Sequence, residues 1–67
     1  MIMTPVKSSD IASIGYEGSI LYVRFNSGGM YAYPNVPESL YRALMEAPSH
    51  GKFFAANIKN RYPFIKM

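Results

Sequence analysis

Two runs of alternating side chains, residues 20–25 and 30–33, are separated by the loop sequence Asn-Ser-Gly-Gly. Alternation with a period of two places successive side chains on opposite faces of a β-strand. A loop rich in Asn and Gly between two such runs is a strong signal for a β-hairpin. Pro34 ends the second run, because proline has no N–H to donate to a neighbouring strand. The hairpin restricts the chain to folds that contain an antiparallel sheet.

The residues before the hairpin predict one more strand. Residues 11–17, with the sequence IASIGYE, place Ile14 and Tyr16 on one side, and Glu17-Gly18 is predicted to be a two-residue hairpin loop. Thr4-Pro5 is an extended lead-in. Together with the hairpin, this segment predicts a three-stranded antiparallel β-meander.

The residues after the hairpin predict two helices. Val36-Pro37 opens a helix that Pro48 stops, and Ser49 is suited to cap a second helix that runs to Pro63. A sheet of three strands needs a cover, which the helices supply. We therefore predict an α+β fold in which two α-helices follow the meander and pack on one face. The domain spans residues 1–67, with its core at about residues 6–64.

Composition limits how such a short chain can be stabilised. It has 67 residues, no cysteine and a single histidine, so it offers neither a disulfide nor a metal site. Ten aromatic residues must supply much of the apolar area. Tyr31 and Tyr33 alternate with Met30 and Ala32, so we expect both tyrosines on the side of Leu21, Val23 and Phe25, with one or both hydroxyls reaching the rim.

Charge is unevenly distributed along the chain. Residues 1–46 carry three basic and four acidic side chains, whereas residues 47–67 carry four basic side chains and no acidic one. Cations beside aromatic side chains are what single-stranded nucleic acid requires, because phosphates need positive charge and bases stack on rings. The leading hypothesis is therefore a basic, aromatic-containing C-terminal helix that binds RNA or a nucleotide. Its candidate residues are Ser49, His50, Lys52, Lys59, Arg61 and Tyr62.

A second hypothesis is protein interaction. The face of the sheet opposite the predicted core combines apolar, aromatic and arginine side chains, which are enriched in interfaces. The candidate interface residues are Ile20, Tyr22, Arg24 and Met30. This face, or an open edge strand, would form a homodimer or bind another protein.

Catalysis is not expected. Ser8 or Ser9 would need an oriented base, and His50 is the single histidine, at the start of a predicted helix. We predict a non-enzymatic domain without cofactor or metal. No apolar run approaches the ~20 residues of a membrane span, and the N-terminus lacks the pattern of a secretory signal. We therefore expect a soluble, cytoplasmic protein with no membrane association.

An ordered set of short elements extends from Val6 to Phe64. It comprises Ser8-Ser9, Ile14-Gly15-Tyr16, Leu21, Val23, Phe25, Ser27-Gly28, Tyr31, Tyr33, Val36-Pro37, Tyr41, Ala47, Ser49, Gly51, Phe54, Ile58 and Tyr62. This set resembles the KTSC domain, a small family first noted beside lysyl-tRNA synthetase sequences. The turn at Glu17-Gly18 is shorter than is usual in that family. The resemblance implies a small stand-alone or appended domain without an established activity, and the synthetase association favours nucleic acid as the ligand.

Overall fold

A computed structural model describes residues 2–67 as one antiparallel sheet with two helices. The elements are, in chain order, β1 (Thr4–Pro5), β2 (Ile11–Glu17), β3 (Ile20–Phe25), β4 (Met30–Tyr33), α1 (Glu38–Glu46), α2 (His50–Asn57) and β5 (Ile65–Lys66). The strands lie in the sheet in sequence order, and each pairs with the next in antiparallel orientation. The α+β class and the central meander are confirmed.

The prediction of a three-stranded sheet is wrong in its count, because β1 and β5 extend it to five strands. Thr4 pairs with Ile14 at one edge, and Ile65 pairs with Ala32 at the other. A two-residue strand is too short to show a period of two in the sequence. Pro5 is also compatible with a strand only at an edge. The two-residue loop of the first hairpin is Gly18-Ser19, one residue later than predicted, with φ of 58° and 65°.

Strand register places the predicted side chains together on one face. Ile14, Val23 and Tyr31 lie opposite one another across β2, β3 and β4, and Leu21 lies opposite both Tyr16 and Tyr33. Directly paired residues point to the same side of a sheet. The expectation that both tyrosines share the face of Leu21 and Val23 is therefore confirmed.

A β-bulge at the start of β2 interrupts the alternation of its side chains between the two faces of the sheet. The register of β2 against β3 shifts between Ile11 and Ser13, so Ile11 lies opposite Phe25 while Ile14 lies opposite Val23. Without the extra residue, two side chains three positions apart would point to opposite faces. Because of the bulge, both Ile11 and Ile14 are fully buried. The bulge therefore holds the preceding Ser8–Asp10 turn near the inner face of the sheet.

Both helices pack on this inner face. Leu44 from α1, Phe54 from α2 and Ile58 join the buried strand residues in one hydrophobic core. Tyr16 stacks on Tyr41 of α1 with ring centroids 4.8 Å apart. Neither of the two helices in the described part of the chain covers the opposite face of the sheet. No helix within residues 2–67 is long and apolar enough to cross a membrane.

Helix α2 is shorter than predicted. It ends at Asn57, and residues 58–61 form turns in which Lys59 N–H donates to the Phe54 carbonyl at 3.0 Å. The Asn57 side chain donates to the carbonyl of Phe53 at 3.1 Å. Asparagine competes in this way with helical bonding of the backbone, which favours termination. Lys59, Arg61 and Tyr62 consequently lie beyond the helix, so the prediction of a C-terminal helix that carries all of them is wrong.

Candidate functional site

Five aromatic side chains form a cluster at one end of the inner face, which we call the aromatic cluster: Phe25, Tyr31, Tyr33, Phe54 and Phe64. Phe54 contacts Phe25 and Tyr33 edge to face, with centroids 5.5 and 5.4 Å apart. Phe64 contacts Tyr31 at 5.1 Å and Tyr33 at 5.8 Å. The cluster therefore joins the β3–β4 hairpin, α2 and the segment before β5. Aromatic pairs at these distances add stability beyond the apolar area that they bury.

A cleft of about 630 Å³ opens against this cluster. Its volume falls within the range of small-molecule sites, and an apolar wall with few polar groups is typical of such sites. Besides the aromatic cluster, the residues that line it are Ser9, Asp10, Ile11, Asn26, Ser27, Gly51, Ala55, Lys59 and Asn60. Asp10 and Lys59 are its acidic and basic side chains. The cleft therefore offers ring surfaces, a carboxylate and an ammonium group to one ligand.

The polar side of the cleft is built from two turns that bond to each other. The Ser8 hydroxyl oxygen accepts from the backbone N–H of Asp10 and of Ile11, both at 3.2 Å. Asn26 donates from its side chain to the Ser8 carbonyl at 2.9 Å and from its backbone to the Asp10 carbonyl at 2.8 Å. The Ser8 hydroxyl thus closes a turn, as expected for a structural serine. These bonds fix the backbone of Asp10 at the rim.

Tyr33 is the most deeply buried side chain of the aromatic cluster, with 3% of its surface exposed. Burial raises the pKa of the Tyr33 phenol, and the neighbouring Tyr31 phenol raises it further through charge repulsion. Within residues 2–67 its hydroxyl has no hydrogen-bond partner, yet the oxygen is not sealed from solvent. Buried tyrosine hydroxyls usually have a partner. Tyr33 is also one of the residues that line the cleft.

Two of the predicted binding residues have structural roles. Ser49 caps α2, where its hydroxyl oxygen accepts from the Lys52 N–H at 3.3 Å. His50 Nδ1 lies 2.8 Å from the Leu44 carbonyl and is part-buried between the two helices. Because a carbonyl can only accept, His50 Nδ1 is the donor in this hydrogen bond, which links α2 to α1. That nitrogen is therefore unavailable to a ligand. Neither residue lines the cleft.

The predicted cationic patch is only partly assembled. Lys59 lines the cleft, whereas Lys52 and Arg61 are exposed outside its lining. Tyr62 is half-buried and packs against the hydrophobic core, which removes most of its ring from the surface. Lys52 and Lys59 do not share a helix face, because α2 ends between them. Of the six predicted residues, the structure brings only Lys59 to the aromatic cluster.

The predicted protein interface lies on the outer face of the sheet. Tyr22 pairs with Ala32, and Arg24 pairs with Met30. Arg24 Nη2 also lies 3.7 Å from the Met30 sulfur. Ile20, Tyr22 and Met30 are half-buried and Arg24 is exposed. The first and last strands of the predicted meander are not sheet edges, since β1 and β5 pair with them.

Sequence reasoning did not identify Asp10 and Asn26 as site residues. Ser8-Ser9-Asp10 has the composition of a turn, and the bonds to the Ser8 hydroxyl form one. The position of this turn beside α2 depends on the contact between Asp10 and Gly51, which are 41 residues apart in the chain, and no local pattern signals such a contact. Within residues 2–67, no group of three or more His, Cys, Asp or Glu side chains is placed to hold a metal ion.

Comparison with known proteins shows the family. The KTSC domain model matches residues 7–62, so the chain belongs to the KTSC domain family. A protein of Tsukamurella paurometabola is 39% identical over 67 residues, covering 97% of this chain and all of that protein. An uncharacterised protein of Stutzerimonas stutzeri is 45% identical over 51 residues, covering 73% of this chain and 72% of its own.

A solved structure agrees with the fold. The crystal structure of a KTSC domain protein from Yersinia pestis superimposes with a TM-score of 0.94 at 38% sequence identity. The match covers 98% of this chain and 96% of that one. The match to the family model and the match to the solved structure both confirm the resemblance inferred from the ordered sequence elements.

Two tyrosine-to-phenylalanine substitutions test whether the Tyr33 hydroxyl is free. The Tyr16 hydroxyl donates to the Val36 carbonyl at 2.5 Å, so Tyr16→Phe should lower the free energy of unfolding by about 1 kcal/mol. Tyr33→Phe removes a hydroxyl that has no partner among the described residues. This variant should change the free energy of unfolding by less than about 0.5 kcal/mol at neutral pH. Urea denaturation of both variants measures this. Equal destabilisation by the two would show that the Tyr33 hydroxyl bonds to the protein.

Proposed function

We propose that this KTSC domain is a non-enzymatic binding module for single-stranded RNA or a nucleotide, with the cleft as its binding site. A base lies against the aromatic cluster, and Lys59 contacts a phosphate. The observation that carries the proposal is the meeting of ring surfaces, a tyrosine whose hydroxyl is unbonded within the described residues, and a lysine in one cleft. We expect the domain to act in the cytoplasm, where unpaired RNA is available.

The aromatic cluster supports a flat ligand. Phe64 is 52% exposed although it contacts two rings, so part of its surface remains free for a further ring. Tyr31 is half-buried beside it. Stacking of a base on an aromatic side chain contributes about 1–3 kcal/mol and tolerates any base. A cleft with several rings therefore suits nucleobases in general.

Lys59 supports a ligand that carries phosphate. Its position after the last turn of α2 places the basic side chain at the cleft without an acidic partner within hydrogen-bonding distance in residues 2–67. Lys52 and Arg61 are also exposed and would contact phosphates outside the cleft. One cation at the cleft and two beyond it suit a short strand better than a duplex, whose bases are already stacked.

Removal of the Lys59 charge tests the proposal. Lys59→Gln should weaken binding of a short single-stranded RNA several-fold and lower the slope of log affinity against log salt by about 0.7, the value for one phosphate contact. Arg42→Gln is the matched control. It removes the same charge from α1, where Arg42 forms an exposed ion pair with Glu38 at 2.9 Å. Fluorescence anisotropy across a salt series measures both quantities.

Two results would contradict the proposal. Absence of RNA binding at about 50 mM salt, where phosphate contacts are strong, would remove it. Equal effects of Lys59→Gln and Arg42→Gln would show that the protein attracts RNA through net charge and that the cleft plays no part.

A second candidate is homodimerisation or protein binding through the outer face. Both helices pack on the inner face of the sheet and leave the outer face uncovered by them. On the outer face Ala32 pairs with Tyr22 on one side and with Ile65 on the other, and Ile65 is 61% exposed. If this face self-associates, sedimentation of the wild type should show a dimer that Tyr22→Ser converts to a monomer. A wild-type monomer at every concentration would exclude self-association through this face.

A further inference from the structure

The Asp10 carboxylate is held at the cleft in a defined place. Its backbone is fixed on both sides, by the bond from its N–H to Ser8 and by the bond from Asn26 to its carbonyl. Its side chain lies beside Gly51 in the first turn of α2. A Cβ atom at Gly51 would come within 3.1 Å of Asp10 Oδ2. Gly51 therefore leaves the room that the carboxylate occupies, and the positive end of the helix dipole favours an anion there.

The same carboxylate has no donor from the protein. Within residues 2–67 it forms neither a hydrogen bond nor an ion pair. An ionised carboxylate only accepts hydrogen bonds, and its two oxygens suit a ligand that presents two adjacent N–H groups. Among the described residues that line the cleft, Asp10 is the one with an acidic side chain. Asp10 therefore brings two adjacent acceptors to the lining of the cleft.

The four common bases differ in what they offer to such a pair. Guanine presents N1–H and the N2 amino group as adjacent donors on its Watson–Crick edge. Adenine and cytosine place a ring nitrogen acceptor beside their amino group, and uracil has one N–H between two carbonyls. An acceptor that faces a carboxylate leaves both groups without a partner, and such mismatches discriminate strongly. Only guanine matches the carboxylate at both positions.

The cleft also contains donors for the acceptors of the same ligand. The free Tyr33 hydroxyl can donate to a carbonyl such as guanine O6, and Lys59 can bind the phosphate. The Asp10 carboxylate has no proton to donate and therefore cannot bind guanine O6 or the phosphate. Donor and acceptor groups of the cleft are therefore complementary to those of guanosine monophosphate.

We propose that the cleft selects guanine, and that Asp10 accepts hydrogen bonds from the N1–H and N2 amino groups of the base. This inference rests on the proposed function and adds the identity of the base. Asp10 is then the specificity-determining residue, while the aromatic cluster supplies stacking that any base would share.

The test compares four ribonucleoside monophosphates with the full chain. Isothermal titration calorimetry of the wild type should give an affinity for guanosine monophosphate at least about tenfold above that for the adenosine, cytidine and uridine forms, the size expected of a bidentate contact. Asp10→Asn keeps the shape of the side chain and replaces one acceptor by a donor. It should remove the guanine preference, and adenosine monophosphate should bind at least as tightly as to the wild type, because an amide can accept from the adenine amino group and donate to the adjacent ring nitrogen.

Glu46→Gln is the control for charge. Glu46 is an exposed acid at the end of α1, outside the cleft, so this variant makes the same change in net charge and should retain the guanine preference. Thermal melting of Asp10→Asn separates recognition from support of the fold. An unchanged melting temperature with loss of selectivity supports recognition.

The remaining outcomes overturn the inference in distinguishable ways. Equal binding of all four nucleotides by the wild type would overturn guanine selection and leave the proposed function intact. A uniform loss of affinity in Asp10→Asn, with a lower melting temperature, would assign Asp10 a structural role and overturn its part in selection. Absence of binding by any nucleotide or by RNA would overturn both proposals.

Discussion

The packing of Phe54 between Phe25 and Tyr33 is the contact on which the rest of the structure depends. It fixes α2 against the strands of the central hairpin, with edge-to-face contacts at both rings. The position of α2 in turn sets where Gly51 meets the Ser8–Asp10 turn and where Lys59 lies, two residues after the helix ends. One aromatic contact in the core therefore determines the placement of the polar groups around the cleft.

A domain of this size has few residues for its core, and the aromatic cluster serves two purposes. Phe54 and Tyr33 are buried and Phe25 is half-buried, and the contacts among the three rings stabilise the packing of helix against sheet. Phe64 closes the cluster with half of its surface still exposed. Tyr33 belongs to the core and also lines the cleft. The wall of the cleft is therefore an extension of the core, and large changes to it would alter stability together with binding.

The sequence was informative where local patterns decide the structure. Alternation at residues 20–25 and 30–33 predicted β3, β4 and the inward position of Tyr31 and Tyr33, and Ser49 was correctly recognised as the cap of α2. Strands of two residues were missed because they are defined by pairing alone. The prediction from sequence spacing that Lys52 and Lys59 share one helix face failed because α2 ends at Asn57. Asp10 was not identified as a site residue because its place beside Gly51 is a tertiary contact.

The central claim is that a ligand binds where the aromatic cluster meets Asp10 and Lys59. The most direct measurement is a set of aromatic and backbone NMR spectra recorded while short single-stranded RNA is added to the wild-type protein. The account predicts chemical-shift changes at Tyr31, Tyr33, Lys59 and Phe64, with Tyr22 on the outer face unchanged. Changes confined to the outer face, or spectra that RNA leaves unaltered, would contradict it.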